Sequence, residues 1–491
     1  MVRIIPLLQL RKRKKEAADE ANNVNSIIVL LCSLIVVLGG SMHLYCTIYS
    51  EIEKTIKRSI SAQNRTPNKY RLYLSEYNER ISGRMFYRMY RMKRPCFNML
   101  CGKIERAIGR ERFKSEKYIN ELRMLGYSTP RSRMYHCNLH TSGEYIQGEL
   151  KVAITLRYLA GASYLDLFMA YHLQANYVHT IIEDAKKNWF CNNYVLPMNY
   201  YQDVLQNPER LQEIRRDFGQ SSGGLLSGCI GAIDGWLVKV RCPTLDEVPN
   251  PGKYMCRKGF FAMNVQAIVD KKKRILWSYI GEKGCVHDST MFKNSTLYAH
   301  LMDKADQMLE NKLYIVGDSA YALRGFLLCP FDNAKQYSDE DNFNFFLSSQ
   351  RIYVECAFGE IDRRWGIFWK PLEGTLEERR FTIDACFRLH NLIVDFREMW
   401  RKEGNEIDDE KDRDELDNAS DNFIWRNPTE DLGVIGDDIR ASGRPSEDEV
   451  FERQRGLDLR DEFKNKLKRA GLTRPAKDSD SKRKDRHNRM I

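Results

Sequence analysis

Gly228-Cys229-Ile230-Gly231-Ala232-Ile233-Asp234-Gly235 and Leu313-Tyr314-Ile315-Val316-Gly317-Asp318-Ser319-Ala320-Tyr321 are the two stretches on which the fold turns. Each is a short apolar run that reaches an aspartate, as a buried strand of an open sheet delivers a carboxylate to its C-terminal tip. Around the first, Cys229 to Ile233, Trp236 to Arg241, Phe260 to Val269 and Ile275 to Ile280 read as strands in quick succession, with Asp270-Lys271-Lys272-Lys273-Arg274 as a hairpin turn. A helix is expected after Asp288 and two more near 350–368 and 376–400. A meander of strands followed by alternating helix and strand predicts an α/β domain, a mixed sheet flanked by helices.

The last pair of helices carries a third acid. Val354, Phe358, Ile361, Trp365 and Phe368 form an apolar stripe at helical spacing, and Glu355 flanks that stripe where it can face the sheet. Two strand aspartates and one helix glutamate can hold two hard divalent cations, which take oxygen ligands. Without metal, carboxylates so close repel one another. Two such ions about 4 Å apart stabilise the attacking and leaving oxygens of an in-line displacement at phosphorus, which points to phosphodiester hydrolysis or transesterification. Taken singly, Asp234 and Asp318 also read as turn residues before Gly235 and Ser319, and Glu355 as a solvated helix charge.

Several motifs occur together and in order: Ala232-Ile233-Asp234-Gly235; Gly284 through Val286 to His287-Asp288-Ser289; Gly317-Asp318-Ser319-Ala320-Tyr321; Arg351 to Gly359 with Arg364-Trp365; and Leu389-His390-Asn391-Leu392. From about Gly228 to Asp395 the chain resembles the DDE endonuclease domain of the PIF/Harbinger transposase superfamily. The resemblance implies an RNase H-like fold with Asp234, Asp318 and Glu355 as the catalytic and metal-binding triad, and Mg²⁺, or Mn²⁺ in its place, as the cofactor. The 36 residues between Asp318 and Glu355 suit that family's interval. It further implies DNA as substrate, a 3′-OH exposed by cleavage, a Myb-like DNA-binding partner and a nuclear location; a homodimer is also expected. Two other readings stay open: a domesticated DNA-binding protein that no longer cuts, and a membrane-anchored protein with a transposase-derived domain.

Other residues carry weaker expectations. Family position makes Asp288 an auxiliary metal ligand, while Asp288 or Ser289 can equally cap a helix beginning near Thr290. His287 reads as a structural histidine or a ligand-orienting one. Lys271, Lys272, Lys273, Arg274, Arg363 and Arg364 are candidate phosphate contacts, or else a charged turn and a solvated helix face. Residues 148–189 read as three short helices broken at Gly161, with Ser163 and Asn176 as caps. They resemble a helix-turn-helix whose last helix would present Asn176, Tyr177, His179 and Thr180 to DNA; a plain helical bundle fits the spacing too. His390-Asn391 reads as core support. The Gly-rich Ser221 to Gly228 lacks the Gly-Lys-Ser/Thr ending of a phosphate loop, so nucleotide hydrolysis is not indicated.

The whole chain, 491 residues, carries a net charge of +11 that is unevenly distributed. Residues 51–120 have 18 Lys/Arg against 7 Asp/Glu, residues 401–450 have 7 against 17, and residues 451–491 have 14 against 7. A basic front end suits a phosphate backbone, or is a solvated helical surface. The 13 cysteines form no Cys-x-x-Cys pair, which excludes a zinc knuckle and gives no disulfide framework. Residues 1–50 hold the basic cluster Arg11 to Lys15 and an uncharged stretch whose residues 26–49 are a candidate transmembrane helix, although Gly39-Gly40-Ser41 interrupts it. The expected division is 1–50, a basic helical region 51–147, a helix-turn-helix-like region 148–220, the endonuclease domain 228–400 and a charged, mostly disordered tail 401–491. Within that tail a short basic helix is expected around Leu457 to Arg469, and Lys482 to Lys484 is a second candidate nuclear signal.

Overall fold

The computed structural model describes residues 81–109, 148–198 apart from 172 and 174, 204–404 and 446–475. The candidate transmembrane helix, the two basic clusters and the acidic run 405–445 lie outside the described residues. Among the described residues no helix is long and apolar enough to cross a membrane.

Six helices precede the sheet among the described residues: α1 (Gly83–Tyr90), α2 (Arg94–Ile108), α3 (Gly148–Leu159), α4 (Tyr164–Tyr171), α5 (Ala175–Asp184), which runs into a π-helical turn Ala185–Phe190, and α6 (Pro208–Gly219). Proline sits in the first turn of α2 and of α6, where its missing N–H costs nothing. Gly161, at φ 105°, ends α3, and the Ser163 hydroxyl accepts from the Leu165 N–H at the start of α4, as the sequence suggests. Asn176 does not cap: it lies inside α5.

The sheet comprises β1 (Cys229–Lys239), β2 (Ala262–Val269), β3 (Ile275–Lys283), β4 (Tyr314–Val316) and β5 (Leu327–Leu328), in the order β3-β2-β1-β4-β5. β1, β2 and β3 form an antiparallel meander, whereas β4 and β5 run parallel to β1. Between β3 and β4 come α7 (Asp288–Lys293), α8 (Thr296–Asp303) and α9 (Ala305–Glu310); α10 (Asp339–Arg364) and α11 (Leu376–Lys402) follow β5, and α12 (Glu447–Arg469) closes the described chain. The expected mixed sheet flanked by helices is therefore present, and its order and strand directions are those of an RNase H-like fold.

Side-chain alternation sets the two faces. On one face Trp236 of β1 packs against Phe358 of α10 and Phe387 of α11, with ring centroids 5.5 and 6.3 Å away. On the other, Phe292 of α7 lies edge-on to Trp277 of β3 and Tyr298 of α8. Residues 148–198 are tied to the first of these helical layers. The buried Lys186 ammonium donates to the Thr382 hydroxyl at 2.8 Å, and Gly366 meets Gly161 backbone to backbone.

The short C-terminal helix expected at 457–469 is a full α12 that packs along the β5 side. Leu459, Phe463 and Leu467 are buried, and Phe463 lies against Tyr314 with centroids 5.2 Å apart. The stripe is narrow and the rest of the helix is charged, which is why composition pointed to a solvated tail.

Candidate active site

β1 and β4 pair in parallel only as far as Ala232 and Val316. Asp234 and Asp318 each stand two residues beyond that last pair, so two carboxylates open where the parallel ladder stops. The expectation that Asp234 ends its strand is corrected here: β1 continues to Lys239 because β2 still pairs with it, and Asp234 sits opposite Ala267. Asp234 and Trp236 share the face covered by α10, the helix that carries Glu355.

Backbone N–H groups hold both aspartates. Gly235 N–H donates to Asp234 Oδ1 at 2.8 Å, and Ala320 N–H to Asp318 Oδ1 at 3.0 Å. Arg351 stands one helical turn before Glu355 and reaches two acids at once, its Nη1 3.2 Å from Asp234 Oδ2 and its Nη2 2.6 Å from Glu355 Oε1. Burial, against the opposing pull of the Gly235 N–H and Arg351, pushes the Asp234 carboxyl up to about 7; the charges of Asp318 and Glu355 add to the rise. Three like charges on one side of a sheet with a single guanidinium among them leave a net negative site.

Asp288 does not cap its helix. α7 begins at Asp288 itself, with His287 as N-cap and no side-chain capping bond. The Asp288 carboxylate accepts from Asn264 Nδ2 at 3.0 Å, and its backbone carbonyl from Gln266 Nε2 at 2.6 Å. It lies where a Gly235 side chain would be, because a Cβ on Gly235 would come 2.4 Å from Asp288 Oδ1. By alternation that is the opposite face of β1 from the Asp234 side chain. Gly235→Ala is accordingly expected to displace this carboxylate and destabilise the fold by about 1 to 3 kcal/mol, as overpacking does. Urea unfolding measures it, and an unchanged midpoint would contradict the packing. His287 is exposed rather than a satisfied core histidine.

The candidate phosphate contacts fare unequally. Lys271 donates to Asp217 O and Gln220 Oε1, and Lys272 pairs with Glu213 and Glu398. Lys273 pairs with Glu360, and Arg274 with Asp270 and Asp395. The hairpin is thus bolted to α6, α10 and α11 by its own charges. His390 Nε2 bonds Lys273 O at 2.8 Å, and Asn391 bonds both backbone groups of Ile275 at 2.7 Å, which is the core support expected of them. Burial lowers the His390 ring to about 4, so it is neutral there. Arg364 is corrected outright: it is 1% exposed and donates to Arg91 O. Arg363 donates to Gly359 O and stays at the edge of α10.

On α5, Asn176, His179 and Thr180 are exposed, whereas Tyr177 is half-buried. His179, Glu183 and Glu378 bring ligand-type atoms within 4.8 Å of one another, the one such trio among the described residues. Two carboxylates beside His179 make that part of the helix a poor phosphate surface. Asp234, Asp318 and Glu355 do not bring one oxygen each within 4.8 Å of one another, and Arg351 stands between two of them.

Sequence reasoning passed over two residues at the site. Arg351 was legible as the i−4 neighbour of Glu355, a spacing that favours ion pairs. Tyr321 was quoted only as part of a motif. Its hydroxyl is buried without a hydrogen-bond partner, and burial followed by the charges of Asp288, Asp234 and Asp318 raises it well above the usual phenol range. The acids lie apart from the cavity of about 430 Å³ between β3, α8 and α11.

The sheet is RNase H-like, with Asp234 and Asp318 just past the last β1–β4 pair and Glu355 on the facing helix. Residues 233–391 match the family model described as DDE superfamily endonuclease, so this stretch carries a DDE superfamily endonuclease domain, in agreement with the resemblance read from the sequence. A curated relative from Arabidopsis thaliana, "Protein ALP1-like", is 30% identical over 206 residues, covering 39% of this chain and 49% of its own. The chain therefore spans about half the length of the curated relative it matches. No solved structure matches.

Proposed function

We propose that this protein is a divalent-metal-dependent DNA endonuclease of PIF/Harbinger transposase descent, which cleaves phosphodiester bonds at Asp234, Asp318 and Glu355. The observation that carries this reading is the Arg351 guanidinium joining the raised Asp234 carboxyl to Glu355 on the facing helix, with Asp318 two residues beyond the last β1–β4 pair, as Asp234 is. The donor set fits hard cations: Asp234, Asp318 and Glu355 all offer carboxylate oxygens. Mg²⁺, with Mn²⁺ as a substitute, is the ion of choice for such oxygens. When bound, the cations would supply the charge that activates water and stabilises the leaving 3′ oxygen.

The chain's own contribution is positioning. The Gly235 and Ala320 N–H groups fix the two aspartate rotamers, and the Trp236 cluster holds α10 against β1 so that Glu355 stays on the same face. Nuclear location, a Myb-like partner and a homodimer belong to the same proposal. Nicking of supercoiled plasmid in Mg²⁺ or Mn²⁺ tests it, and absence of metal-dependent cutting under either ion would overturn it.

The raised Asp234 carboxyl sets a pH dependence. Below about 7 a proton competes with cations for its oxygens, so metal-dependent nicking is expected to climb with pH up to about 7 and then level off. Stability in EDTA runs the other way. The folded protein holds this proton more tightly than the unfolded chain, so the associated stability is present at low pH. It is lost as pH rises from the ordinary aspartate range, about 4, through about 7. Melting temperatures in EDTA with wild type and Asp234→Asn check the sign, since the variant removes this slope.

A further inference from the structure

We propose that Arg351 is an exchangeable counter-ion of the acidic site: its guanidinium holds Asp234 and Glu355 together in the metal-free protein, gives way to divalent cations at those oxygens, and is then available to a DNA phosphate. The inference rests on the nuclease reading above and deepens it.

Among the described residues the three acids make two ion pairs with Lys or Arg, and Arg351 is the partner in both. The two ends of its planar fork each take a different carboxylate, an arrangement a lysine point charge does not reproduce. Its side chain is 24% exposed, and Glu355 50%, so the head group can leave for water without unfolding α10. The oxygens it occupies, Asp234 Oδ2 and Glu355 Oε1, are among those the proposed cations would take. A guanidinium at hydrogen-bond distance and a cation cannot share them, because like charges so close repel. The exchange is favourable in charge: one guanidinium leaves the three-acid site net negative, and divalent cations neutralise more of it. Once displaced, the fork remains tethered one helical turn from Glu355, where a phosphate being cut would be its nearest anion.

Arg351→Gln is expected to move two readouts in opposite directions. Mn²⁺ affinity, followed by the paramagnetic resonance signal of the free ion, should tighten by about tenfold, the scale of an outer ligand's influence on a metal site. Binding to a DNA duplex in non-cleaving Ca²⁺ should weaken, with its salt slope reduced by about one. The metal-free melting temperature should fall, and Arg351→Lys, which keeps the charge without the fork, should lie between. A merely structural arginine would weaken both activities together. If wild type binds Mn²⁺ and Arg351→Gln, with an unchanged circular-dichroism spectrum, binds it no more tightly, the counter-ion role is wrong while the nuclease reading stands. Should wild type itself bind no Mn²⁺, both fall.

Discussion

Asp318→Asn is expected to leave the protein folded and to lower metal-dependent plasmid nicking by about a thousandfold or more, equivalent to about 4 kcal/mol of lost transition-state stabilisation. Asp318 is the sharper probe of the triad because its removal breaks so little else. Its carboxylate makes one hydrogen bond, from the Ala320 N–H, which an asparagine carbonyl also accepts, and it has no ion pair among the described residues. The substitution is nearly isosteric, at a half-exposed site, so folding stability should change by no more than about 0.5 kcal/mol. Cutting by the variant at the wild-type rate would show that Asp318 does not carry the reaction. Asp234→Asn would be less clean, because Asp234 is mostly buried and bonded to Arg351.

The largest stability effect should come from Gly228→Ala. A Cβ there would lie 1.8 Å from Lys312 O and 2.9 Å from the Tyr314 ring. Neither can yield easily: Lys312 O is backbone, and Tyr314 is fully buried with its hydroxyl bonded to Leu226 O. The Gly228 carbonyl also accepts from the Tyr314 N–H at 3.0 Å, so the clash falls on the bond that sets β4 beside β1. A loss of about 3 kcal/mol or more is expected, at the upper end of overpacking costs. Because that pairing places Asp318 next to Asp234, any folded residue of the variant should lose activity as well. Chemical denaturation and nicking measure the two effects, and a wild-type unfolding midpoint would refute the close approach. The Gly-rich run at 221–228, which lacks the chemistry of a phosphate loop, thus has a packing reason for its last glycine.

Much of the domain was legible from local pattern. The separate strand runs at 229–233 and 236–241 proved to be one strand, β1, those at 260–269 and 275–280 became β2 and β3 nearly in place, and the stripe Val354, Phe358, Ile361, Trp365 and Phe368 is buried throughout. Such signals survive because period-two and period-3.6 burial is written in neighbouring residues. What local pattern misread were charges. Lys271 to Arg274 look like a cationic turn until Glu213, Glu360, Asp395 and Glu398 arrive from three other helices. Arg364 looks solvated until Arg91, 273 positions away, accepts its hydrogen bond.

By itself, then, the order of residues determined which segments are strands and helices and the DDE-like succession of Asp234, Asp318 and Glu355. Only the tertiary structure decided that Asp288 lies under Gly235 on the other face, that Arg351 bridges two of the acids, and that the hairpin cations are already paired. The physical reason is that alternation along a strand says which residues share a face, but the face that meets α10 and the face that meets α7 are chosen by how the whole sheet packs. Charge pairing depends in the same way on distance through space, which spacing along the chain does not supply.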